Sequence, residues 1–226
     1  MKIGFSTGSI HETGLSFPDR IRFFSDLGCK ALELGFREEE EIFFSDLAKG
    51  KHIELFSSFE YISLHTDPYP DIETMLDIVT KISNKLTFDA VVFHPDLFEP
   101  HFDLLERYDL PFAVENMDSK KISYKRPTDL KKIFQDFPEF KFVFDLNHAY
   151  VNDRSGDLAI KLFESFKYRL THFHISGYTE IHEPLYQTKQ KEITDNIPVH
   201  DFPMIIESSC RTLDEAKKEY EYILCL

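Results

Sequence analysis

KFVFDLNH, residues 141–148, is a short apolar run that stops on Asp145 and carries His148 three positions further on. Seven other runs share this form: MKIGFSTGS (1–9), KALELGF (30–36), YISLHTD (61–67), AVVFHPD (90–96), PFAVENMD (111–118), THFHISG (171–177) and FPMIIESS (202–209). One polar residue from the end of each of the last six runs gives His65, His94, Glu115, Asp145, His174 and Glu207. Their spacings of 29, 21, 30, 29 and 33 residues match one strand, one helix and two short loops.

Helical periodicity fills the intervals. Pro18 suits the first turn of a helix opened by Phe17 and closed near Gly28. From Asp71 to Leu86, apolar side chains recur at three- and four-residue steps. Pro127-Thr128-Asp129 and Gly156-Asp157 lead into two further helices. Thr212 can cap the last one, with Glu215 at the capping-box position. Strand and helix thus alternate eight times without a linker or a break in composition. Such alternation predicts a parallel sheet, and eight units in 226 residues predict one compact α/β domain, residues 1–226, closed as a (β/α)8 TIM barrel. No glycine-rich phosphate loop follows any strand, which counts against an open doubly wound sheet. In a barrel, the residues at strand ends meet at the C-terminal mouth.

Composition narrows the function classes. The net charge of −14 disfavours broad nucleic-acid affinity, which needs clustered cations. One local cluster exists: Lys120, Lys121, Lys125 and Arg126, directly after the fifth run. It reads equally as a solvated loop or as a substrate-binding rim for a phosphate. No apolar stretch reaches membrane-spanning length, and the N-terminus reads as a first strand rather than a signal peptide. Cys29, Cys210 and Cys225 are scattered, as expected of buried thiols in a cytoplasmic protein.

A lone histidine at a strand end is more often a hydrogen-bonded structural residue than a ligand. Number and shared phase carry the metal reading here. His65, His94, Glu115, Asp145, His148, His174, His182 and Glu207 are nitrogen and oxygen donors without thiolates, a set suited to zinc or manganese and larger than one tetrahedral ion needs. Without a cation they would repel one another or lie unpaired. Asp145 and His148 both reach the mouth if the chain turns sharply after Asp145. His172 shares the phase of His174 one layer deeper, and is read as a core residue or a partner that orients it. His11, His52, His101 and His200 fall in helices or outer loops and read as surface residues.

The motif series resembles the xylose isomerase-like TIM barrels, the superfamily that includes endonuclease IV, the apurinic-site nuclease, and the sugar isomerases and epimerases. The resemblance covers essentially the whole chain. LHTD, FHPD, EN and D-x-x-H-A look most like endonuclease IV, which implies that all eight donors are ligands of up to three zinc ions. The epimerases imply a smaller set, matching Glu115, Asp145, His174 and Glu207, around one divalent ion. Two features depart from the nuclease. Its Asp-x-His is represented here by Glu180-Ile181-His182, and no loop is long enough to wedge into duplex DNA.

Two activities are therefore expected in competition. The first is a multinuclear, zinc-dependent hydrolase of a phosphate ester on a small or single-stranded substrate. The second is a mononuclear manganese, cobalt or magnesium sugar or sugar-phosphate isomerase or epimerase, with Glu115 and Glu207 as its catalytic acid/base pair. A barrel that keeps the ligands without turnover is the third reading. Ligand count favours the hydrolase.

Overall fold

In the computed structural model each apolar run contains a strand, and the strands close into a ring. β1 (Ile3–Ser6), β2 (Ala31–Phe36), β3 (Tyr61–Thr66), β4 (Ala90–Phe93), β5 (Phe112–Glu115), β6 (Lys141–Asp145), β7 (Leu170–Ile175) and β8 (Met204–Ile206) pair in parallel in chain order, and β8 returns to β1. The protein is a TIM barrel. The structure describes residues 1–66, 69–180, 182–195, 197 and 201–226. Asp67 of the LHTD motif, Ile181 and His200 lie outside them.

Local signals place the helices. Ser16 caps α1 (Phe17–Asp26) by accepting a hydrogen bond from the Asp19 amide. Beyond it Gly28 takes φ 88°, a left-handed conformation that costs glycine least. After α2 (Glu41–Ala48), Asp71 caps α3 (Ile72–Ser83) through the Thr74 amide. The β4–β5 interval departs from a simple strand–helix repeat. Two one-turn helices, α4 (Pro95–Phe98) and α5 (Phe102–Leu105), flank a 3-10 turn. The interval is the shortest of the series; Pro95 opens α4, and Pro100, which has no N–H to donate, keeps it from continuing. α6 (Pro127–Asp136), α7 (Leu146–Asn152), α8 (Asp157–Phe166), α9 (Leu185–Thr188) and α10 (Leu213–Leu224) complete the outer layer. Thr212 caps α10 as expected, but Glu215 bonds the amide of Arg211 at 2.7 Å rather than that of Thr212.

The two-residue period of the strands divides the interior in two. Outward side chains, among them Phe5, Leu32, Phe93, Phe142, Phe144 and Phe173, bury against the helices in one continuous core. Phe93, Phe112 and Phe140 pack edge to face within it. Burial of this layer is the main favourable contribution to folding. Inside the ring, small and medium apolar residues fill the N-terminal end: Ala90, Val92, Ala113 and Val143 in one cluster, Ala31, Tyr61 and Ile205 in another. A Cβ at Gly4 would collide with the Ala31 carbonyl oxygen, so β1 and β2 approach as closely as they do only with glycine there. Above this apolar plug the inward positions become polar. No described helix is long and apolar enough to cross a membrane.

Candidate metal centre

Glu115, the last residue of β5, stands at the centre of the mouth with about 1% of its surface exposed. Its two carboxylate oxygens face different partners. Oε2 lies 3.0 Å from His65 Nε2 and 3.3 Å from His94 Nε2. Oε1 lies 3.2 Å from His148 Nδ1 and 3.5 Å from His174 Nδ1. His174 Nδ1 is in turn 3.4 Å from Glu207 Oε1. Among the described residues four donor groups have ligand atoms within 4.8 Å of one another: His65, His94 and Glu115; Glu115, Asp145, His174 and Glu207; His65, His174 and Glu207, which spans these two; and, deeper, Glu33, His172 and His174.

The backbone explains how the motifs reach this arrangement. His94 closes the strand just before Pro95 opens α4. Asp145 is both strand end and N-cap of α7, its Oδ1 accepting the His148 amide at 2.7 Å. That is the sharp turn required for Asp145 and His148 to share one face. Asn116 of the EN motif holds Asp145 with two bonds: its Nδ2 donates to the Asp145 carbonyl at 3.0 Å and its Oδ1 accepts the Asp145 amide at 2.9 Å. His148 Nδ1 lies 2.8 Å from the Asn116 carbonyl, leaving Nε2 beside Asp145 Oδ2 at 3.5 Å. His182 lines the same cavity, its Nδ1 2.8 Å from Ser176 Oγ and its ring 5.6 Å from that of His148. Neither His148 nor His182 joins any of these compact donor groups.

Electrostatics show the strain of concentrating these groups. Burial pushes the Glu115 carboxyl up, but the charge of His174 and the imidazoles of His148, His174 and His65 beside it outweigh this and hold it well below the usual carboxylate range. Burial pushes Glu207 up to about 8, with the charge of His174 opposing and the carboxylates Glu115 and Asp145 reinforcing it. Burial lowers His148 and His174, yet the surrounding carboxylates prevail, raising His148 to about 10 and His174 well above its ordinary value. Asp145 Oδ2 and His174 Nδ1 are buried without a hydrogen-bond partner among the described residues. Buried polar atoms without partners are costly. Two such lone pairs aimed into one cluster of imidazoles and carboxylates fit a divalent cation, the group that would satisfy both.

Several residues that reading strand ends alone passes over belong to the site. Glu33, in the middle of β2, is fully buried beneath the mouth. Its Oε2 accepts from Ser63 Oγ at 2.8 Å and lies 3.2 Å from His174 Nε2 and 3.3 Å from His172 Nε2. The only trace of this in the sequence is a carboxylate at an inward position of an otherwise apolar strand. Arg37, one residue past β2, lines both the mouth cavity of about 140 Å³ and an adjoining one of about 200 Å³. His11 is exposed, as expected, yet it lines the second cavity with Ser9 and Ser209. His101 is exposed, whereas His52 is half-buried and stacks on Phe43.

The basic rim lies elsewhere. Lys120, Lys121, Lys125 and Arg126 do not line the mouth cavities. Lys121 Nζ pairs with Asp96 at 2.6 Å, and Lys125 and Arg126 line an outer groove with Asn152, Lys161 and Glu164. Within the loop Met117 N–H donates to the Tyr124 carbonyl, and the Asp129 carboxylate accepts from the amides of Lys125 and Arg126, tying them to α6.

No protein family and no curated protein matches the chain by sequence. Solved structures match along its whole length. Endonuclease IV from Thermus thermophilus superposes with a TM-score of 0.66 at 14% identity, covering 100% of this chain and 98% of that one. D-psicose 3-epimerase from Clostridium cellulolyticum gives 0.65 at 13%, covering 98% of each. A probable 3-DHS dehydratase from Bacillus anthracis gives 0.64 at 16%, covering 99% of each. A nuclease, an epimerase and a dehydratase share this backbone, so the backbone alone selects no chemistry. The chain has the fold of the xylose isomerase-like TIM barrels.

Proposed function

We propose that the protein is a divalent-metal-dependent hydrolase of a phosphate ester, with a multinuclear site for which zinc is the expected ion and manganese the alternative. The observation that carries this reading is the division of Glu115: one oxygen serves His65 and His94, the other the side of His148 and His174. A carboxylate so divided suits bridging between two cations. Asp145, His174 and Glu207 would complete the inner position, with His148 beside Asp145 and His182 beside His148. Divalent cations held there supply the charge that polarises a phosphoryl group and offsets that of the departing oxygen. Arg37, in the lining of both cavities, would hold a substrate phosphate and help orient it. The narrow cavities and the net charge of −14 favour a small or single-stranded substrate over duplex DNA.

A second reading has its own observation. Glu207, pushed up to about 8, carries a proton near neutral pH, and with Glu115 across the cavity it would suit the proton exchange of a sugar or sugar-phosphate epimerase. Elemental analysis of the purified protein separates the two. The hydrolase reading expects two or more ions per chain, with one fewer in His94→Ala. A single ion, retained in His94→Ala, together with solvent deuterium appearing at a substrate C–H during turnover, would establish the epimerase instead.

A further inference from the structure

Beneath the mouth lies a buried polar layer to which strand-end chemistry assigns no task. It consists of Glu33, Ser63, Tyr61 and His172, with His174 shared between this layer and the one above. All the carboxylate and imidazole groups in it are fully buried. Burying a carboxylate among strands is expensive unless charge and hydrogen bonds compensate it, and Glu33 Oε1 has no hydrogen-bond partner among the described residues.

His174 has one ring nitrogen in each layer. Nδ1 faces Glu115 and Glu207 without a hydrogen bond. Nε2 faces downward, 3.2 Å from Glu33 Oε2 and 3.0 Å from His172 Nε2. For Nδ1 to bind a cation it must offer a lone pair, so Nε2 must carry the hydrogen. A histidine below would not enforce this, because its own Nε2 is a donor in one tautomer and an acceptor in the other. A carboxylate accepts only. His172 Nδ1 is engaged by the Tyr61 hydroxyl at 2.7 Å and by Thr171 Oγ1 at 3.0 Å, which leaves its Nε2 beside the same carboxylate oxygen.

We infer that Glu33 is a positioning residue for the metal centre: its carboxylate takes the Nε2 hydrogen of His174, fixing the tautomer and ring direction in which Nδ1 points into the mouth as a ligand. This rests on the metal-site reading above, but not on the choice between hydrolase and epimerase. Outer carboxylates of this kind typically change metal affinity by about 10- to 100-fold.

The test uses the full-length protein loaded with zinc, with chelator competition as the measure of affinity. Glu33→Leu fills much of the same space but has no acceptor oxygen, and is expected to weaken zinc binding by about 10- to 100-fold. An affinity within about twofold of wild type, with wild type binding zinc normally, overturns the assignment, being well short of that effect. Nitrogen-15 spectra of the histidine rings in zinc-loaded wild type give a readout that does not depend on the variant folding. The expected signature is a slowly exchanging hydrogen on His174 Nε2 with Nδ1 bound to the metal; coordination through Nε2 overturns the assignment. Wild-type protein that takes up no zinc overturns the metal-site reading and this assignment together.

Discussion

The two halves of the mouth are built to different standards. On the β6–β8 side, Asp145 and His174 are buried; Asp145 is clamped by Asn116, and His174 is seated on Glu33. On the β3–β4 side, His65 is buried but His94 keeps about a quarter of its side chain exposed, where the chain enters the one-turn α4. Rigid support holds ligands in place and costs flexibility, whereas a looser ligand can give way to substrate. The inner half thus resembles a permanent cation seat, and the outer half a position that distinguishes one chemistry from another.

Removing the residue common to both halves should have the largest effect. Glu115→Ala is expected to lower kcat by about 10³-fold and to cut the bound metal to a fraction of the wild-type content by elemental analysis. His94→Ala attacks the outer half alone. Loss of one ion per chain and about 10²-fold in kcat is expected; a full metal content and near-normal turnover would abolish the distinction between the halves.

Protons sharpen the same comparison. Glu207, at about 8 against an ordinary 4.5, and His148, at about 10 against 6.5, both hold protons more tightly in the folded chain. The stability this contributes is complete below the ordinary values and is lost as the pH rises through about 8 and about 10. The Tm of chelator-treated protein should therefore fall from above about pH 4.5 to about pH 10, and Glu207→Gln should flatten the part below about pH 8. Cation binding to Glu207 must displace its proton, so this group alone should raise zinc affinity by up to about tenfold per pH unit below about pH 8, read by calorimetry in buffers of different ionisation enthalpy. A flat affinity profile would show that Glu207 is not a ligand of the inner half. The smallest effects concern cations. Arg37→Ala should raise KM for a phosphorylated substrate by about tenfold, the worth of one charge-assisted contact. Lys125→Ala, on the outer groove, should change it by no more than about twofold, as expected of an exposed charge; the reverse order would return the phosphate site to the basic loop.

Much of the fold was legible because its signals are local. Apolar runs of strand length, the Thr212 cap and the spacing of the six strand ends each depend on neighbours within a few residues. The candidate donors were legible for the same reason, since every parallel strand delivers its C-terminal residues to one end of the ring. Lys120 to Arg126 show the limit of adjacency: the residues follow Glu115 closely, but they do not line the mouth cavities, and Asp129 ties Lys125 and Arg126 to α6. Glu33 shows the other limit, because nothing beside it in KALELGF announces a polar partner.

The sequence by itself determined the barrel and the set of donors at its mouth, through periodicity and through repetition of one strand-end pattern. Only the tertiary structure decided how those donors are shared. Glu115 divides its oxygens between two groups, and Glu33, 141 residues from His174, takes hold of that ring from below. Closure of the barrel sets these contacts, because it brings β2, β5 and β7 across a common interior that no local pattern encodes.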